Sequence, residues 1–185
     1  ANEQIKARGT DISEYVANIA EKSGGAKKVL DNLDTRTTSN KGANLVARLH
    51  GLEGFGMRTG EINKLHPENF KIKKYGDTEV YEIVLDTRVA KSYARPIPIS
   101  KKLYNDIQSY ITSKNIKPET NIFDKKLAQE ALKLTGLDKE LKAVGVKPQL
   151  ELITRKLVES EILSRRGFST VGENLVKSVM GHQKW

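Results

Sequence analysis

The stretch Gly54 to Leu65, Gly-Phe-Gly-Met-Arg-Thr-Gly-Glu-Ile-Asn-Lys-Leu, holds the densest chemistry in the chain. Glycines on both sides of Arg58 let backbone approach a partner closely, and an arginine that opens a helix sits where amide N–H groups also favour anions. Glu61, one helical turn on, can pin the Arg58 guanidinium and leave other donors for a phosphate oxygen. The same residues also fit a plainer reading, a turn followed by a surface ion pair at i, i+3.

Other chemistries have no anchor in the sequence. The three histidines, His50, His66 and His182, are far apart, and none lies in a His-x-x-x-His or Glu-x-x-His pattern. A metal site would have to be assembled mostly from carboxylates, and none is expected. Neither a phosphate-binding Gly-x-x-x-x-Gly-Lys-[Ser/Thr] loop nor a Gly-x-Ser-x-Gly nucleophile turn occurs. The absence of cysteine removes thiol nucleophiles, disulfide frameworks and Cys-based zinc sites together. With 32 Lys plus Arg against 23 Asp plus Glu, the chain carries a net charge of +9. Such a surplus favours a polyanionic partner, nucleic acid before membrane surface, because neutralised phosphates release counterions. At 37% hydrophobic and 30% charged residues, the composition is that of a folded globular chain. No apolar run approaches the ~20 residues of a membrane span.

The elements that must position these residues follow from periodicity. Ile12, Tyr15, Val16 and Ile19 predict an amphipathic helix over about 12–22, opened by a capping box of Asp11 and Glu14. Gly24-Gly25 breaks it, a short helix follows through Val29, Leu30 and Leu33, and residues 34–40 read as a loop or linker. Leu45, Val46, Leu49 and Leu52 mark the next helix. The runs Phe70 to Tyr75, Val80 to Leu85 and Ala94 to Ile99 predict a small antiparallel three-stranded sheet. Pro96 and Pro98 place its third strand at an edge. Helices are then expected after Ser100 and Asp124, over 137–144 and about 150–165, and after a capping box of Thr170 and Glu173. The fold class is α+β, mostly helical. Residues 1–40 are expected to form an accessory helical segment or linker, and 41–185 the main domain.

Gly56-Met57-Arg58-Thr59-Gly60-Glu61-Ile62, followed by Leu65, resembles the first arginine box of the tyrosine recombinases, the phage-integrase superfamily, with Phe55 where threonine is usual. The family's later features follow in order. Arg88 to Ile99 resembles the segment whose β-turn bears a catalytic lysine, and Lys91 is the match, with Arg88 competing by proximity. Arg155 matches the second phosphate-binding arginine, although Leu152 stands three residues before it where histidine is usual. Archaeal viral and plasmid integrases are among members that tolerate other residues there. Val179-Met180-Gly181-His182-Gln183 resembles the Gly-His box, which makes His182 the site histidine. None of the six tyrosines matches the family's nucleophile, which the resemblance puts beyond Trp185.

The resemblance implies a tyrosine-recombinase catalytic domain that cleaves and rejoins double-stranded DNA through a 3′-phosphotyrosyl intermediate, with no cofactor or metal. Arg58, Lys91, Arg155 and His182 would be catalytic and Glu61 supporting. Arg95, the cluster Lys71, Lys73 and Lys74, and the pair Arg165 and Arg166 would contact DNA. Family members act as tetramers on DNA inside the cell, and the isolated fragment is expected to be a monomer. Two alternatives stay open: a DNA-binding module that kept the fold without the chemistry, and a type IB topoisomerase relative.

Overall fold

Helix formation begins earlier than the capping signals suggest. The computed structural model describes residues 2–86, 89 and 94–166, with side chains for 12–86, 89 and 94–165. Lys91, Arg88, Tyr93, His182 and the expected helix after Thr170 lie outside the described residues. Helix α1 runs Asn2–Ser23, passing through Asp11 without a break. Good helix formers such as Glu3, Gln4, Lys6, Ala7 and Arg8 carry it upstream of the capping pair. Helix α2 (Ala26–Arg36) takes in Asp34 to Arg36, which the sequence assigns to a loop. What remains of that polar stretch is a packed corner. Thr37 is fully buried, and its hydroxyl donates to the Leu33 carbonyl at 2.6 Å. Asn44 donates to the Asp34 carbonyl and carboxylate at 2.9 and 2.8 Å. Local hydroxyl and amide groups thus satisfy the last carbonyls of α2, which water would take in a free linker.

Helix α3 (Lys41–His50) opens with Asn40, whose side chain accepts the Ala43 N–H at 3.1 Å. A short helix α4 (Thr59–Ile62) leads to the sheet, β1 (Phe70–Tyr75), β2 (Thr78–Leu85) and β3 (Arg95–Ile99), in the order β1-β2-β3 and antiparallel throughout. The prolines lie on the edge strand, as their missing N–H groups require. Helices α5 (Lys101–Ser113), α6 (Leu127–Thr135), α7 (Leu137–Ala143) and α8 (Leu150–Arg166) complete the described chain. Ser100 caps α5 through the Leu103 N–H at 3.0 Å. Asp124 bonds the Lys126 N–H, one residue before α6 begins.

A single buried cluster links Ile12 and Val16 of α1, Leu33 of α2, Leu49 of α3, Ile83 and Leu85 of β2, Ile107 of α5, and Ile153 and Leu157 of α8. Helix α8 packs on α1, α2 and α3, so residues 1–40 share their apolar core with the rest of the chain. This packing brings α8 against the Gly54–Leu65 segment.

Candidate functional site

Arg58 is presented by a tight reversal of the chain. Past α3, a single 3-10 turn over Leu52–Gly54 folds back on the helix just completed. Phe55 and Gly56 both take left-handed backbone conformations, φ 53° and 69°. The Gly56 N–H returns to the Gly51 carbonyl at 2.9 Å, and the Met57 N–H to the Leu49 carbonyl at 3.2 Å. Left-handed backbone is ordinary for glycine but strained for phenylalanine, and here the Phe55 ring packs against the core to offset it. Met57 is wholly buried, and Arg58 follows as the residue preceding the first turn of α4.

Glu61 organises this corner from the interior. Its Oε1 accepts the Arg58 backbone N–H at 3.0 Å, so the i, i+3 relation works at least through the backbone. Both carboxylate oxygens also accept from Arg95, at 2.9 and 3.2 Å. Arg95, expected from the sequence to contact DNA, is buried here, at 6% exposed. Alternation along β3 puts Arg95 on the same face as Ile97 and Ile99, toward the core, where the fully buried Glu61 needs a counter-charge. Burial alone pushes the Glu61 carboxyl up. The Arg95 and Arg58 N–H donors, with the charges of both arginines, outweigh burial and hold it below its ordinary value.

Arg155 reaches the same corner from α8. Its guanidinium donates to the Gly56 carbonyl, one peptide before the Met57 link to Arg58. Burial first, then the neighbouring Arg58 charge, lower its pKa to about 10, against the pull of Glu61, Glu159 and Glu151. It stays protonated at neutral pH. Two arginines from distant parts of the chain thus meet in one place, with Glu151 accepting the Thr59 N–H at 3.1 Å beside them. Leu152, at the histidine position of the family pattern, packs against the apolar core.

His50, the last residue of α3, is a part of this site that sequence reasoning missed. It is fully buried, and its Nδ1 lies 2.8 Å from the Met57 carbonyl oxygen. A carbonyl only accepts, so Nδ1 carries the hydrogen, and Nε2 is a buried lone pair with no partner among the described residues. Burial first, then the Arg155 charge, depress its pKa to about 4, although the Met57 carbonyl and the Glu61 charge pull the other way. The only sequence signal was its place at the end of an apolar helix, directly before a glycine.

These groups set the acid response. The unfolded chain protonates His50 near 6.5 and the folded chain near 4, so stability falls as pH drops through that window, by on the order of 3 kcal/mol. Glu61, with its folded value depressed, adds stability above the ordinary carboxylate range that is lost on further acidification. Urea midpoints between pH 7 and 4 should fall, and His50→Asn should flatten the upper part of that decline. An unchanged slope in His50→Asn would assign the decline to other groups.

The remaining charges divide. Lys71, Lys73 and Lys74 are exposed along β1, and Lys73 lies 3.7 Å from Glu82 on the next strand. Arg165 is exposed on α8 and paired with Glu161 at 2.8 Å. The Arg166 side chain lies outside the described residues. Among the described residues, no group of three or more His, Asp or Glu side chains could hold a metal ion, and no helix is long and apolar enough to cross a membrane.

No protein-family model matches the chain, and no curated protein matches it. Among solved structures it is similar to the crystal structure of XerA recombinase, with a TM-score of 0.54 and 12% sequence identity over 84% of this chain. The match covers 54% of that protein, so the chain spans about half its length. The likeness is one of fold, which in this chain is mostly helical with a three-stranded antiparallel sheet.

Proposed function

We propose that this chain is the catalytic domain of a tyrosine-type site-specific DNA recombinase or integrase. The observation that carries this reading is the convergence of Arg58 and Arg155, one before α4 and one on α8, on the Gly56–Met57 turn within the recombinase fold. Phosphodiester transesterification builds negative charge on the non-bridging oxygens, and two preorganised guanidinium groups in a partly buried site stabilise it. In this reading a tyrosine beyond Trp185 attacks phosphorus and the 5′-oxygen leaves. A 3′-phosphotyrosyl ester then forms, and a 5′-hydroxyl from the partner strand reverses the exchange. Lys91 protonates the leaving oxygen, and His182 hydrogen-bonds a non-bridging one. Glu61 holds the Arg58 backbone. The lysines of β1, with Arg165 and Arg166, follow the flanking DNA backbone, while the buried Arg95 serves the site from within. The active form is a tetramer on two duplexes inside the cell, and the isolated chain is a monomer.

The 185-residue chain should bind duplex DNA with an affinity that falls steeply with salt, each phosphate contact adding ~0.9 to the log–log slope. Arg58→Ala should lower that slope by about 1, and in a chain extended through its tyrosine it should abolish cleavage of a suicide substrate. Cleavage at the normal rate would sink the assignment. A second reading, a DNA-binding module without the chemistry, is favoured by Leu152, whose side chain joins the core where the family has histidine. The same replacement would fit the archaeal viral and plasmid branch. An extended chain that binds DNA but forms no covalent adduct would decide for the module, and relaxation of supercoiled DNA would point to a topoisomerase.

A further inference from the structure

The turn that presents Arg58 is gripped at two successive carbonyls by side chains from two different helices. Arg155 of α8 takes the Gly56 carbonyl, and His50 of α3 takes the Met57 carbonyl at 2.8 Å. Phe55, a left-handed non-glycine residue, precedes these peptides and stores strain that something must hold. Solvent cannot replace the His50 bond, because the imidazole and Met57 are both fully buried.

We infer that His50 is a positioning residue for phosphate binding: its Nδ1–H fixes the Met57 peptide and so aims Arg58, while Arg155 anchors the preceding peptide and stands beside it. This rests on the recombinase reading above. The neutral Nδ1–H tautomer is sufficient for this bond. A proton on Nε2 would add a buried donor with no acceptor among the described residues, opposed by the Arg155 charge of α8 and favoured by the Glu61 charge of α4. His50 touches no reacting atom. Its effect passes through the carbonyl of the residue that precedes Arg58.

Asparagine and glutamine separate the two ring nitrogens. An asparagine amide can occupy the Nδ1 donor place, whereas leucine fills the volume and donates nothing. The test uses the 185-residue chain and a random-sequence duplex, with binding measured by fluorescence anisotropy from 50 to 200 mM salt. His50→Leu is expected to lose about one unit of salt slope and about tenfold in affinity at 0.1 M salt, matching Arg58→Ala. The double variant His50→Leu/Arg58→Ala should bind no worse than Arg58→Ala alone, since both changes remove the same contact. His50→Asn should keep the wild-type slope. A merely structural histidine would change the urea midpoint and leave the slope of the folded protein untouched, and that result would overturn the inference. If His50→Leu does not fold, the comparison passes to His50→Asn against His50→Gln, and equal slopes there overturn it as well. Failure of the recombinase reading looks different: the wild type then shows no salt-dependent binding, or Arg58→Ala has the same slope as the wild type.

Discussion

Glu61→Ala is expected to lower the urea midpoint by about 2 M. The carboxylate is fully buried and accepts two guanidinium bonds from Arg95, itself 6% exposed, so its removal breaks a buried ion pair. Breaking a buried pair in this way costs ~3–5 kcal/mol, and a domain of this size unfolds with a urea dependence of roughly 2 kcal/mol per molar. That is a large part of the ~5–15 kcal/mol that holds an ordinary domain together. The reciprocal change, Arg95→Ala, breaks the same pair from the other side and should cost a similar amount. Removing both partners together, Glu61→Leu with Arg95→Met, should recover most of the loss, because a buried pair replaced by apolar groups is often neutral. A residual deficit of ~1 kcal/mol is expected from the Arg58 N–H, which loses its acceptor. If the double variant is as unstable as the single one, the deficit comes from packing and not from a stranded charge.

Gly54→Ala should be nearly as severe for a different reason. A Cβ at this position would stand 2.2 Å from the Leu49 carbonyl oxygen and 2.7 Å from the Leu49 Cα. Those atoms are helix backbone and cannot rotate away, so the reversal that carries the chain to Arg58 has to open. Overpacking of a core costs ~1–3 kcal/mol when side chains can yield, and here the expected loss lies above that range. The bonds from Gly56 to Gly51 and from Met57 to Leu49 hold the reversal shut, so opening it should also misplace Arg58 and reduce DNA affinity. Gly60→Ala is the built-in control. Nothing lies within 4 Å of a Cβ there, the residue is exposed on α4, and alanine in a helix should add ~0.5–1 kcal/mol. Thermal unfolding of the two variants side by side should move in opposite directions. A fall in both would mean that α4 rejects side chains for a reason other than space.

Much of the framework was legible because it rests on short-range rules. The β-rich run Phe70–Tyr75 matched its strand, and Pro96 and Pro98 identified the edge, since a missing N–H is a property of the residue itself. Ser100 announced α5 for the same kind of reason. The misreadings lie where two local signals competed. Asp11 and Glu14 form a capping pattern, but helix formers upstream extend α1 past it, and residues 34–36 look like a polar loop yet continue α2.

In the candidate site, the sequence alone singled out Arg58 and Glu61, because glycines, an arginine and a glutamate within one turn state a local geometry. It also pointed to Arg155, by resemblance. What only the tertiary structure decided is which groups face them. Arg95 carries the same charge as the exposed lysines of β1, and its burial follows from the sheet face that packs over Glu61, 34 residues away. Arg155 reaches a carbonyl 99 residues earlier because α8 crosses the α3 turn. His50 sits beneath both for the same cause. Local preference acts over a few residues, whereas the energy of a buried charge or imidazole depends on everything packed around it, and that is set by how distant elements meet.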